Sequence, residues 1–109
     1  MKIALAQINP TIGDLEGNRE KILDYARRAD DRGADLVVFP ELCVTGYPPE
    51  DLLENPFFKR AVQRTVDHLA QALPPDLGVI VGAPVPNGDR FGKPLHNAAL
   101  LLEHGAVQD

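Results

Sequence analysis

The chain has 109 residues, 44% hydrophobic and 25% charged, which suits one small globular domain or part of a larger one. Its 11 Lys and Arg against 16 Asp and Glu leave a net charge of −5, without the clustered cations of a phosphate-backbone binder, so no nucleic-acid partner is expected. The single cysteine excludes an intrachain disulfide framework, no apolar run reaches membrane-span length, and "MKIALAQINP" is too short and polar for a secretory signal; the expected location is cytoplasmic, with no membrane partner.

Lys2 to Ile8, "KIALAQI", is mostly apolar and reads as a strand buried on one or both faces. Pro10, Gly13 and Asp14 then punctuate a turn. From Leu15 to Arg32 the pattern is helical. Leu15, Ile22, Ala26, Ala29 and Gly33 share one face at about 100° per residue, and most charges avoid it. Asp14 and Asn18 are both candidates for the N-cap, and Gly33 for the stop.

Ala34 to Pro40, "ADLVVFP", is an apolar run closed by a proline that has no N–H for a ladder, so pairing should end there. Strand, helix and strand make a βαβ unit, whose crossover is expected to be right-handed. "YPPEDLLENP" reads as a loop into a short helix, with Pro48 or Pro49 in its first turn and Glu50 and Asp51 where the helix dipole favours acids. A longer helix follows from Pro56 to Leu73, with Phe58, Ala61, Val62, Val66, Leu69 and Leu73 as its stripe. Gly78 to Pro86 is the third strand, "NGDRFGKP" a polar connection that makes a hairpin, and Leu95 to Leu102 the fourth strand. "EHG" is a turn, and "AVQD" opens a fifth strand that is cut off, so the chain reads as a piece of a longer one. The order is that of an α/β fold.

Glu41 stands just past the second strand, where ligands bind in open α/β sheets and where a general base is expected; a solvated strand-end acid is the other reading. Cys43 would share a side with Glu41 if the segment were extended. A carboxylate alone disfavours a thiolate, and no Lys, Arg or His lies between Asp35 and Phe58, so Cys43 reads as a small buried apolar residue. His68, His96 and His104 match no metal spacing, and no Gly-rich phosphate cradle occurs. Residue chemistry alone therefore yields one well-placed carboxylate and no complete catalytic set.

"ADLVVFPELCVTGYPPEDLL" resembles the first catalytic segment of the carbon–nitrogen hydrolase (nitrilase) superfamily, and "KIALAQINPTIGDLEGN" and "HNAALLLEHGAV" look like that family too. "TGYPPEDLL" followed by "NPFF" is similar, more narrowly, to the glutaminase domains of the glutamine-dependent NAD⁺ synthetase family. The resemblance implies that residues 1–109 are the N-terminal portion of a truncated four-layer α-β-β-α sandwich. It implies a Glu–Lys–Cys set in which Glu is the base, Cys attacks the amide of glutamine and Lys stabilises the oxyanion. By motif Glu41 matches the Glu, whereas neither Lys93 nor Cys43 matches its counterpart; the family Lys and Cys lie beyond Asp109. Tyr47 lines the glutamine pocket or packs beside it. The resemblance implies no cofactor in this segment, and ATP and Mg²⁺ in a missing synthetase domain; the uncovered sheet face and open edge expected of such a piece point to a homo-oligomer. Another nitrilase-superfamily amidase, or a non-catalytic α/β interaction module, are the alternatives.

Overall fold

The computed structural model describes residues 1–46, 55–86 and 95–108. In chain order they form β1 (Ile3–Leu5), α1 (Leu15–Asp31), β2 (Leu36–Val38), α2 (Pro56–Ala72), β3 (Gly78–Pro86), β4 (Leu95–Glu103) and β5 (Ala106–Val107). The short helix expected in "YPPEDLLENP" and the polar connection before β4 lie outside the described residues, apart from Asn55 and Pro56 at the start of α2.

The strands make one five-stranded sheet in the order β1-β2-β3-β4-β5. β1, β2 and β3 are parallel, with Ala4 opposite Val37 and Val37 opposite Val79. β4 returns antiparallel to β3, with Val81 opposite Leu100, which settles the register of the hairpin. β5 returns again through His104 and Gly105, both at positive φ, as a two-residue type I′ turn requires.

The helices start and stop for local reasons. Asp14 caps α1 by accepting from Gly17 N at 3.0 Å. Asn18, the other candidate, lies a turn further in and is fully buried. Gly33, at φ +80°, follows the end of α1 in the left-handed conformation that costs glycine least. Asn55 caps α2 by accepting from Phe57 N and Phe58 N, and Pro56 occupies the first turn.

α1 and α2 pack on each other and on the same face of the sheet, as two successive crossovers of one hand require. Ile22, Leu23, Ala26 and Ala29 of α1 and Val62, Val66, Leu69 and Ala70 of α2 enclose Val37, Val79, Val81, Ala83 and Leu102 from the strands. The strand period of two sends their neighbours to the opposite face. There Leu36, Val38, Ile80 and Leu101 are only half-buried, while Ile3 and Leu5 are 55% and 77% exposed. β1 is therefore shorter and more exposed than "KIALAQI" suggested, because none of the described residues covers its outer face. The fold is the α/β arrangement expected: one sheet with one helical layer, half of an α-β-β-α sandwich.

Candidate active site

β2 ends at Val38, and Phe39 N still donates to Ile80 O of β3 at 2.9 Å. Pro40 then stops the ladder and the chain turns through residues 41–45. This turn takes over the place that a longer β2 would have filled beside Gly82. Gly82 N–H donates to Cys43 Sγ at 3.4 Å, and Val44 N donates to Gly82 O at 3.2 Å. The turn closes with Gly46 N donating to Leu42 O at 2.7 Å.

Two features show how closely the turn is held. Leu42 adopts φ 52°, a left-handed conformation that costs an L-residue roughly 1–2 kcal/mol, yet its side chain is buried. A Cβ on Gly82 would stand 2.5 Å from Leu42 N and 3.1 Å from Glu41 Cα, so only glycine lets the turn cross β3 at this distance.

Asn18 ties the same turn to the loop before α1. Its Oδ1 accepts from Thr11 N at 2.8 Å, and its Nδ2 donates to Thr11 O at 2.8 Å and to Val44 O at 3.0 Å. The bond to Val44 is buried, where an acceptor left without its donor costs about 1–3 kcal/mol. Gly13 N donates to Thr45 O at 2.9 Å alongside it. No polar side-chain atom buried among the described residues lacks a partner.

The result is that Glu41 and Cys43 part company. Glu41 is exposed and lines a cleft of roughly 310 Å³ whose other walls are Val38, Phe39, Pro40, Ile80, Val81, Gly82, Ala98 and Ala99. Glu41 is the one ionisable side chain among those lining residues. Cys43 points into the core and is fully buried. Burial pushes its thiol from an ordinary 9.0 up to about 11, against the smaller lowering effect of its bonds to backbone at Gly82 and at Cys43 itself. A neutral, buried thiol is not a nucleophile at neutral pH. The side sharing open to an extended segment is lost because the segment is a turn.

The remaining candidates do not join this site. Tyr47 and Lys93 lie outside the described residues. His68 lies exposed on α2, and His104 sits in the β4–β5 turn with Nε2 3.3 Å from Glu103 Oε1. Among the described residues no three His, Cys, Asp or Glu side chains are grouped to hold a metal ion, and no helix is long and apolar enough to cross a membrane. Residue-by-residue reading missed the support of the turn. Asn18 carries a signal as a polar residue next to the apolar stripe of α1, but the sequence offers it only as one of two candidates for the cap.

The carbon–nitrogen hydrolase family model matches residues 2–107. The chain belongs to the carbon–nitrogen hydrolase family. Within that family it is 46% identical over 109 residues to a glutamine-dependent NAD(+) synthetase of Synechocystis sp., a match covering 97% of this chain and 20% of the relative. It is 41% identical to the synthetase of Thermotoga maritima, over 98% of this chain and 18% of that protein. The chain thus spans about a fifth of the length of these relatives. Among solved structures, the glutamine-dependent NAD+ synthetase of Acinetobacter baumannii superposes with a TM-score of 0.84 at 34% identity, over 98% of this chain and 19% of that one. An amidase from Nesterenkonia sp. superposes with a TM-score of 0.78 at 28% identity, over all of this chain and 41% of that one. The sheet and helices of this carbon–nitrogen hydrolase segment are thus shared by synthetase and amidase alike.

Proposed function

We propose that this chain is the N-terminal portion, residues 1–109, of a glutaminase domain that hydrolyses glutamine and delivers ammonia for ATP-dependent NAD⁺ synthesis. The observation that carries the reading is Glu41, presented at the carboxyl end of the parallel strands over an apolar cleft by a strained, closely tethered turn. The 46% identity to a glutamine-dependent NAD(+) synthetase supports glutamine as the substrate. Glu41 takes the proton of a cysteine thiol supplied by a later segment of the same domain. The thiolate attacks the amide carbon of glutamine, a lysine from that later segment stabilises the tetrahedral oxyanion, and collapse to a thioester releases ammonia, which receives its proton from Glu41. Water then cleaves the thioester and frees glutamate.

Tyr47 is assigned to the glutamine pocket. ATP and Mg²⁺ belong to the amidation step of a second domain, and no described residue of this chain is assigned to them. The whole enzyme is proposed to act in the cytoplasm as a homo-oligomer, and the 109-residue chain by itself to release no ammonia from glutamine. The superposition on the Nesterenkonia amidase over the full chain supports a second reading, a free-standing amidase using the same base on a small amide.

Nitrogen-source kinetics on the full-length protein test the proposal. Glu41→Gln keeps the shape of the side chain but cannot take a thiol proton. Glutamine-dependent NAD⁺ formation should fall by about 10²–10⁴-fold, the usual contribution of a positioned base. Synthesis from ammonium bypasses the glutaminase and should stay near normal. Normal glutamine turnover in Glu41→Gln removes the base assignment; amide hydrolysis with no ATP-dependent synthesis from either nitrogen source favours the free-standing amidase.

A further inference from the structure

Asn18 is not among the residues that line the cleft, yet its side chain joins the Glu41 turn to the first helix. It is fully buried on α1 and uses both of its amide hydrogens and its carbonyl oxygen. Two of those bonds hold Thr11, in the loop between β1 and α1, and the third holds Val44 O inside the turn. The opposite side of the turn is held by Gly82 of β3, through Cys43 Sγ and Val44 N. Val44 is therefore gripped at both of its backbone groups, its N–H by β3 and its C=O by α1. Leu42, between Glu41 and Val44, holds a left-handed conformation of the kind that persists only where its surroundings fix it, and the two grips on Val44 are part of that support. A rotation at Leu42 would swing Glu41 relative to the cleft.

We infer that Asn18 is a positioning residue for the catalytic base: by holding Val44 O it sets the direction from which Glu41 enters the cleft. The inference rests on Glu41 being the base. A displacement of about 1 Å at a reacting group costs on the order of 10²-fold in rate, so losing this tether should be felt in the chemistry although the residue never meets substrate.

A double-mutant cycle on the full-length protein tests it, using two variants with different liabilities. Asn18→Asp keeps the size and the acceptor for Thr11 N but loses the donors to Thr11 O and Val44 O. Asn18→Ser carries no charge but is too short to span both partners. Each should lower kcat for glutamine-dependent synthesis by about 10²-fold, with ammonium-dependent synthesis within about two-fold of normal. In a Glu41→Gln background the same changes should cost no more than about three-fold further, because a residue acting through Glu41 has little left to act on. Losses that multiply in full show that Asn18 acts independently of Glu41 and overturn the inference. So does normal glutamine turnover in both Asn18 variants while Glu41→Gln is inactive, or loss of both nitrogen sources in both variants, which marks a purely structural residue. Normal turnover in Glu41→Gln itself is a separate outcome: it removes the base assignment, and the positioning role falls with it.

Discussion

One methyl group added at Gly82 should disable the site without touching an ionisable atom. In Gly82→Ala the new Cβ would lie 2.5 Å from Leu42 N, 3.1 Å from Glu41 C and 3.1 Å from Glu41 Cα. All three neighbours are backbone, so no rotamer change relieves the clash. An ordinary van der Waals separation of about 3.5 Å demands that the Glu41–Leu42 backbone and β3 move apart by roughly 1 Å. The shift acts against Cys43 Sγ and Val44 N, which hold Gly82 from the same turn. Overpacking of this kind costs about 1–3 kcal/mol in stability, and a displacement of that size at a base costs on the order of 10²-fold in rate. The assay is steady-state NAD⁺ formation by the full-length protein from glutamine and from ammonium, with a thermal melt in parallel. The glutamine reaction should lose about 10²-fold, the ammonium reaction should be retained, and the melting temperature should fall by a few degrees, roughly 2–4 °C per kcal/mol for a domain of 150–250 residues. Unchanged glutamine kinetics with an unchanged melt would refute the argument that the turn needs this close approach.

Cys43→Ala in the full-length protein should leave glutamine-dependent synthesis within about three-fold of normal, because a buried thiol raised to about 11 supplies no thiolate near pH 7; loss of ammonia release would make it the nucleophile after all. The same thiol makes a signed pH prediction. Its folded-state pKa lies above the ordinary 9.0, so the unfolded chain loses its proton first, and stability relative to Cys43→Ala should be flat below about pH 9 and decline from there to about pH 11. The full decline is roughly 3 kcal/mol; a difference between the two proteins that grows with pH over that window would contradict it. The 109-residue chain studied alone should self-associate through the sheet face that carries Ile3 and Leu5, 55% and 77% exposed, and a concentration-independent, cooperative melt of a monomer at micromolar concentration would count against this.

Local chemistry made much of this protein readable from the chain itself. The helices fall within a residue of their expected bounds, at Leu15–Asp31 and Pro56–Ala72, because a 3.6-residue stripe, a capping Asp or Asn and a terminating Gly act over a few neighbouring positions. β3 spans the Gly78–Pro86 that its apolar run marks, and β2 gives way before Pro40 because a proline cannot donate to the next rung. Glu41 was legible for the same reason, as a carboxylate placed just beyond that break. What the chain could not disclose depends on partners far away in sequence. Asn18 was equally suited to a cap until Thr11 and Val44 were brought to it, the latter 26 residues on. Nothing around Gly82 marks it as indispensable until the Glu41 turn crosses it at backbone distance. Glu41 and Cys43 share a side only in an extended chain; the left-handed Leu42, affordable only because its side chain is buried and the turn is bonded on both flanks, turns one toward the cleft and the other into the core. Periodicity and capping are short-range and survive in a string of letters, whereas the direction in which a turn presents a side chain is set by contacts that exist only once the sheet has assembled.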